Sequence, residues 1–136
     1  MQYWLLKTEP EEYGWDDQVK KRIGGWDGVR NTRAAAYLKR MEKGDLCFFY
    51  HTGKQKAVVG IVRVHNEAYP DKSDPTGKFV MVDVETVEPF KTPVTLAQVK
   101  ADPRFSEMQL VRIARLSVQK VEPEQWEAIR KMGGMS

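Results

Sequence analysis

One cysteine, Cys47, in 136 residues excludes an internal disulfide framework and leaves too few thiolates for a zinc site. The chain has 2 histidines, His51 and His65, at opposite ends of a predicted hairpin, where they cannot easily share a metal. No apolar run approaches the roughly 20 residues that a membrane-spanning helix needs. Lys7, Glu9, Glu11 and Glu12 interrupt the first apolar stretch, so no signal peptide is legible and a reducing, cytoplasmic setting is expected. Charge of one sign is also scarce: 22 basic against 19 acidic residues leave +3, too little by itself to imply nucleic acid. The chain lacks a Gly-x-Ser-x-Gly turn, a His-Glu-x-x-His pair and a phosphate loop. Cys47, flanked by Leu46, Phe48 and Phe49, reads as a buried and inert thiol. Glu11-Glu12 and Asp16-Asp17 are sequence neighbours, which do not face one another on a helix, so they form no acid/base dyad. No cofactor and no metal are expected.

What is present fits one domain over residues 1–136, long enough to bury about two-thirds of its unfolded surface. Gln2 to Lys7 alternates as a first strand, closed by Pro10, and Glu11 to Arg22 is a weak, charged helical candidate. Asn31 or Thr32 can cap a helix carrying Ala34, Leu38 and Met41 on one face, with Gly44 as its stop. Leu46 to His51 is apolar on both faces, as a strand covered on both sides would be. A polar turn over Thr52 to Lys56 leads to a return strand, Ala57 to His65. Beyond a Pro/Asp/Gly-rich loop from Tyr69 to Gly77, Val80, Val82 and Val84 alternate with Met81, Asp83 and Glu85 as a half-buried antiparallel strand. Thr95 caps a short helix bearing Leu96 and Val99. A strand then falls within Arg115 to Val121, and Pro123 opens a closing helix with Trp126 and Ile129 inward. Strands with helices inserted between them, without βαβ alternation, predict a small α+β barrel.

Two stretches combine polar groups with aromatic ones: Trp26-Asp27-Gly28-Val29-Arg30-Asn31 and Phe48-Phe49-Tyr50-His51. If the fold joins them, they form a small aromatic pocket with a polar floor. Trp26, in a Gly-rich loop, reads either as a plug over the barrel end or as a stacking platform for a base. His51 reads as a hydrogen-bonded structural residue or, with no evident nucleophile or orienting carboxylate, as the general base of a hydrolase. Basic residues cluster at Lys20, Lys21, Arg22, Arg30, Arg33, Lys39 and Arg40, and again at Arg104, Arg112 and Arg115. Such clusters form either a solvated face or an electrostatic footprint for phosphate.

The ordered set Met1 to Pro10, Trp26 to Asn31, Gly44-Asp45, Phe48 to His51, Val59-Gly60-Ile61, Tyr69-Pro70-Asp71 and Arg115 to Gln119 resembles the EVE domain. That resemblance covers nearly the whole chain. It implies a PUA-like fold, a small mixed or antiparallel β-barrel of about five to six strands with surrounding helices. It also implies non-catalytic binding of nucleic acid, DNA or RNA, with a modified base such as modified cytosine flipped into a pocket. The implied ligand-binding residues are Trp4, Lys7, Trp26, Arg30, Asn31, Phe49, Tyr50, His51, Arg115 and Ser117. Trp26 and one of Phe49 or Tyr50 would stack on the base. Asn31, His51 and Ser117 would bond to its edge, and Lys7, Arg30 and Arg115 would meet phosphate. Eukaryotic members carry a basic N-terminal tail; here the chain starts at the first strand, so a bacterial, monomeric, stand-alone module is expected, with any cutting left to a partner nuclease or restriction component. The alternative is a sensor of a small molecule or nucleotide metabolite that uses the same pocket.

Overall fold

The N-terminal alternation produces strand β1 (Tyr3–Thr8), and Pro10 opens the short helix α1 (Pro10–Tyr13). The computed structural model describes residues 1–135. The single charged helix expected over residues 11–22 is split at Gly14, which is extended and whose N–H donates to Asp17 Oδ2 at 2.8 Å. This starts α2 (Trp15–Lys21), followed by β2 (Ile23–Trp26). Trp26, expected in a loop, is therefore the last residue of a strand.

Helix α3 (Thr32–Arg40) begins at Asn31, whose Oδ1 accepts the Ala34 N–H at 2.9 Å. Its apolar face buries Ala34, Ala35, Tyr37 and Leu38. The predicted hairpin follows as β3 (Leu46–His51) and β4 (Ala57–Pro70), and then β5 (Val80–Thr95). β4 and β5 run well past their predicted ends. Their pairing shifts register several times, and each bulge bends the strand and lets pairing resume beyond it. The chain ends with α4 (Leu96–Ala101), α5 (Gln109–Arg112), β6 (Val118–Val121) and α6 (Pro123–Met132). Only the second half of the strand expected within Arg115 to Val121 forms.

The strands make one sheet in the order β2-β5-β4-β3-β1-β6. β1 pairs parallel to β3, and the other neighbours are antiparallel. The α+β class and six strands match the expectation, but the sheet is not closed: β2 and β6 are its two edges, and no ladder joins them.

Burial of both faces of β1 and β3 explains their unbroken apolar sequences. Trp4, Leu6, Cys47 and Phe49 enter one core with Ala34 and Leu38 of α3. Leu5, Phe48 and Tyr50 enter the other, where Phe48 stacks on Trp126 of α6 with centroids 3.9 Å apart. No helix among the described residues is long and apolar enough to cross a membrane.

Candidate nucleic-acid interface

Two loops are locked together beside Trp26 by one carboxylate. Beyond β2 the chain turns at Gly28, whose φ of +78° lies in the left-handed region that glycine tolerates. The Gly28 N–H donates to Asp71 Oδ2 at 2.8 Å, and Arg30 Nη1 donates to the same oxygen at 2.9 Å. The other oxygen, Oδ1, accepts the N–H and the hydroxyl of Ser73. Arg30 Nη2 reaches Ser73 Oγ at 3.1 Å. The Asp71 side chain is 0% exposed, whereas that of Arg30 is 40% exposed. Burial alone would raise the Asp71 pKa, but the hydrogen bonds from Ser73, Arg30 and Gly28 outweigh it and hold the carboxyl well below the usual carboxylate range.

The locked loop forms one wall of a cleft of about 590 Å³, continuous with a neighbouring lobe of about 330 Å³. Both lobes are lined by Thr8, Glu12, Trp26 and Asp27. Gly28, Val29 and Arg30 continue the first wall, and Lys7, Ala114, Arg115 and Ser117 stand opposite. Each lobe falls within the volume range of small-ligand sites. Backbone bonds fix the far wall: Ser117 C=O accepts the Lys7 N–H at 2.9 Å, and Thr8 C=O accepts the Thr52 N–H at 2.9 Å. Lys7 Nζ donates to Ala114 C=O at 2.7 Å, and burial lowers its pKa from the ordinary lysine value. The lining mixes signs. Glu12 and Asp27 supply acceptors, the partners that the exocyclic amine of cytosine requires. Lys7, Arg30 and Arg115 supply cations.

The structure thus gathers Lys7, Trp26, Arg30, Arg115 and Ser117 from the sequence-predicted set around one cleft. Five others have different positions. Trp4 is 0% exposed, and its Nε1–H donates to Asp45 Oδ2 at 3.0 Å, so its ring belongs to the core. Asn31 is the α3 cap, with its side-chain oxygen already engaged. Phe49 is fully buried and meets Trp26 edge-on at 5.5 Å, which does join the two aromatic stretches, but as core packing. Tyr50 belongs to the other core and lines the groove that adjoins the cleft rather than the cleft itself, and burial pushes its phenol up to about 12. His51 Nε2 accepts the Trp15 N–H at 3.0 Å, which leaves Nδ1–H to donate to Gln55 Oε1 at 2.7 Å. Both ring nitrogens are engaged in hydrogen bonds, the arrangement expected of a structural histidine.

Trp26 itself is 7% exposed and contacts Tyr13 and Phe49 edge-on, so most of the indole is plug while the remainder lines both lobes. Cys47 is buried beside Asp45, and both effects raise its pKa and keep it a neutral thiol. The sequence reading missed Thr8, Glu12, Asp27 and Asp71. Asp27 carried a signal, as the neighbour of Trp26; Glu12 carried none, because only the fold of α1 against β2 brings it in.

An acid-sensitive contribution follows from the loop lock. Hydrogen bonds from the Thr76 hydroxyl and the Phe79 N–H hold Asp74, in the same loop, at about 2. Both Asp71 and Asp74 titrate below the roughly 3.9 of an unfolded aspartate. Their stabilisation is therefore complete above about pH 4 and is lost as pH falls through the folded pKa values. Urea midpoints should drop between about pH 4 and pH 2, and drop less for Asp71→Asn, in which Asp74 still titrates low. An unchanged wild-type midpoint there would contradict the assignment.

A mixed six-stranded sheet with helices on both faces and a cleft at the β2 edge defines a PUA-type module. The YTH domain of Zygosaccharomyces rouxii MRB1 shares the fold alone, at 12% identity, a TM-score of 0.63 and coverage of 97% of this chain and 86% of that one. The EVE domain family model matches residues 2–132, and the chain belongs to that family. Rpa0253 from Rhodopseudomonas palustris is 48% identical, with a TM-score of 0.93 over 98% of this chain and 94% of that one. Rat thymocyte nuclear protein 1 is 34% identical over 93% of this chain and 71% of its own length. The human THYN1 protein, solved in complex with DNA containing 5-methylcytosine, is 29% identical, with a TM-score of 0.88 over 100% of this chain and 99% of that one.

Proposed function

We propose that this chain is a non-catalytic reader of a modified base in DNA, with modified cytosine as the ligand class. One observation carries the reading: the cleft beside Trp26 is lined by both carboxylate acceptors and cations, in a chain similar along its whole length to a protein solved with 5-methylcytosine DNA. Asp27 or Glu12 would accept from the exocyclic amine of cytosine, and Ser117 and Thr8 would complete contacts along the base edge. The exposed part of the Trp26 indole would bear on the base, and Lys7 and Arg115 would meet the flanking phosphates. Arg30 would act chiefly by holding the rim, because Asp71 and Ser73 already occupy its guanidinium. The module would work as a monomer in the cytoplasm, and any cleavage of modified DNA would fall to a partner nuclease.

A panel of oligonucleotides with cytosine, 5-methylcytosine or 5-hydroxymethylcytosine, at one fixed salt concentration, tests the reading. Burying one methyl group contributes about 0.8 kcal/mol, so the methylated strand should bind about fourfold more tightly than the unmodified one. Equal affinity across the panel would sink the modified-base assignment. A free nucleoside that binds as tightly as the oligonucleotide would instead favour a small-molecule sensor.

A further inference from the structure

A second depression begins where the cleft ends. Lys7, Thr52 and Ala114 line both the cleft and a groove of about 260 Å³, so the two meet without a break. Lys56, Leu96 and Lys100 in turn line both that groove and an extension of about 420 Å³, which adds Lys54. The charge pattern changes along this route. The cleft carries Glu9, Glu12 and Asp27 among its cations, whereas no carboxylate lines the groove or its extension. Glu9 stands at the junction, where it accepts a hydrogen bond from the Thr52 hydroxyl. Among the described residues every ion pair uses an arginine, so Lys7, Lys54, Lys56 and Lys100 have no carboxylate partner.

The local structure converges these cations. Leu96 and Lys100 are four residues apart on α4 and so share one face. The Leu96 N–H donates to the Lys56 C=O at 2.8 Å, which ties the β3–β4 turn to the start of α4. Lys56 holds a φ of +45°, a left-handed conformation that costs a residue with a β-carbon and that asparagine or glycine would adopt more easily. A long cationic side chain therefore stands at a strained position and faces the groove. The groove also presents Leu96, Leu110 and Val111, apolar surface suited to a sugar face.

We infer that this lysine groove carries the sugar–phosphate backbone of the strand whose base enters the cleft. Unpaired ammonium groups match phosphodiesters, and continuity through Lys7 sets the direction in which the strand leaves the base site. The inference rests on the nucleic-acid reading above and adds the strand path to it.

The test is Lys56→Asn with Lys100→Gln; asparagine tolerates the left-handed turn, so the variant should keep its fold, which thermal unfolding checks. Affinity for a 5-methylcytosine strand is measured across a salt series. Each phosphate contact contributes about 0.7 to the slope of log K against log salt for a single strand and about 0.9 for a duplex, so losing two should flatten it by about 1.4 to 1.8. The ratio of methylated to unmodified affinity should persist. A wild-type slope in the folded variant would overturn the strand path. So would an equal fractional loss of affinity for a free nucleoside triphosphate, which would mark the groove as a small-anion site. Equal wild-type binding to methylated and unmodified strands would defeat the modified-base reading, while the slope difference would still support the phosphate track. No oligonucleotide binding by the wild type would defeat both.

Discussion

Trp26→Ala is expected to lower unfolding free energy by about 3–5 kcal/mol, the range for deleting a large buried aromatic. The residue is 7% exposed and sits edge-on to both Tyr13 and Phe49, so truncation opens a cavity between them beneath the cleft. It also removes one of the four side chains that line both lobes. Oligonucleotide affinity should fall by a further about 1–3 kcal/mol under conditions where the variant remains folded, if the exposed part of the indole bears on a base. Urea unfolding and an affinity titration on the same variant separate the two effects. A stability loss below about 1 kcal/mol would show that the indole contributes little to the core.

The second large effect is expected from Asp71→Asn. The substitution preserves shape but places an amide where two oxygens accept from Gly28, Arg30 and Ser73. At least one donor must then face another. Removing one partner of a fully buried ion pair typically costs about 3–5 kcal/mol, but the Arg30 side chain is 40% exposed and can rehydrate, so a loss of about 2–3 kcal/mol is expected. The functional signature should be distinctive. The loop from Trp26 to Arg30 loses its anchor, and the preference for a modified over an unmodified strand should fall toward one. The released guanidinium can meet phosphate, so salt dependence should steepen. An undiminished preference would show that the lock does not shape the cleft.

Much of the framework was legible because local rules and packing agreed. The alternation of Val80 to Glu85, the two-sided apolar run of Leu46 to His51, the caps at Asn31 and Thr95 and the proline opening α6 all correspond to observed elements. β2 escaped because Gly24 and Gly25 leave its four residues without a readable apolar alternation. Their lack of a β-carbon instead admits neighbours: the Tyr13 hydroxyl beside Gly24 and the Met81 methyl beside Gly25. The site was less legible for a related reason. Chemistry-bearing residue types were visible, but their hydrogen-bond partners were not. His51 and Trp4 carry groups suited to reading a base, and each is committed to a backbone or carboxylate partner that only the fold supplies, whereas the helix cap that occupies Asn31 was itself legible. Glu12 carried no signal of a site until the two walls of the cleft were in place.

The position of β2 has a consequence for how the protein comes into being. It lies in the segment joining β1 to β3, yet its ladder runs to β5, with Ile23 opposite Glu85 and Trp26 opposite Val82. Such pairing has high contact order, and closing the intervening chain costs entropy before any bond rewards it. During synthesis, the residues on the Trp26 wall emerge early but have no neighbouring strand until Val82 to Glu85 has followed. The cleft is therefore assembled late, after Arg115 and Ser117 of its lining have also emerged, and an early fragment containing both aromatic stretches would display its residues without forming it.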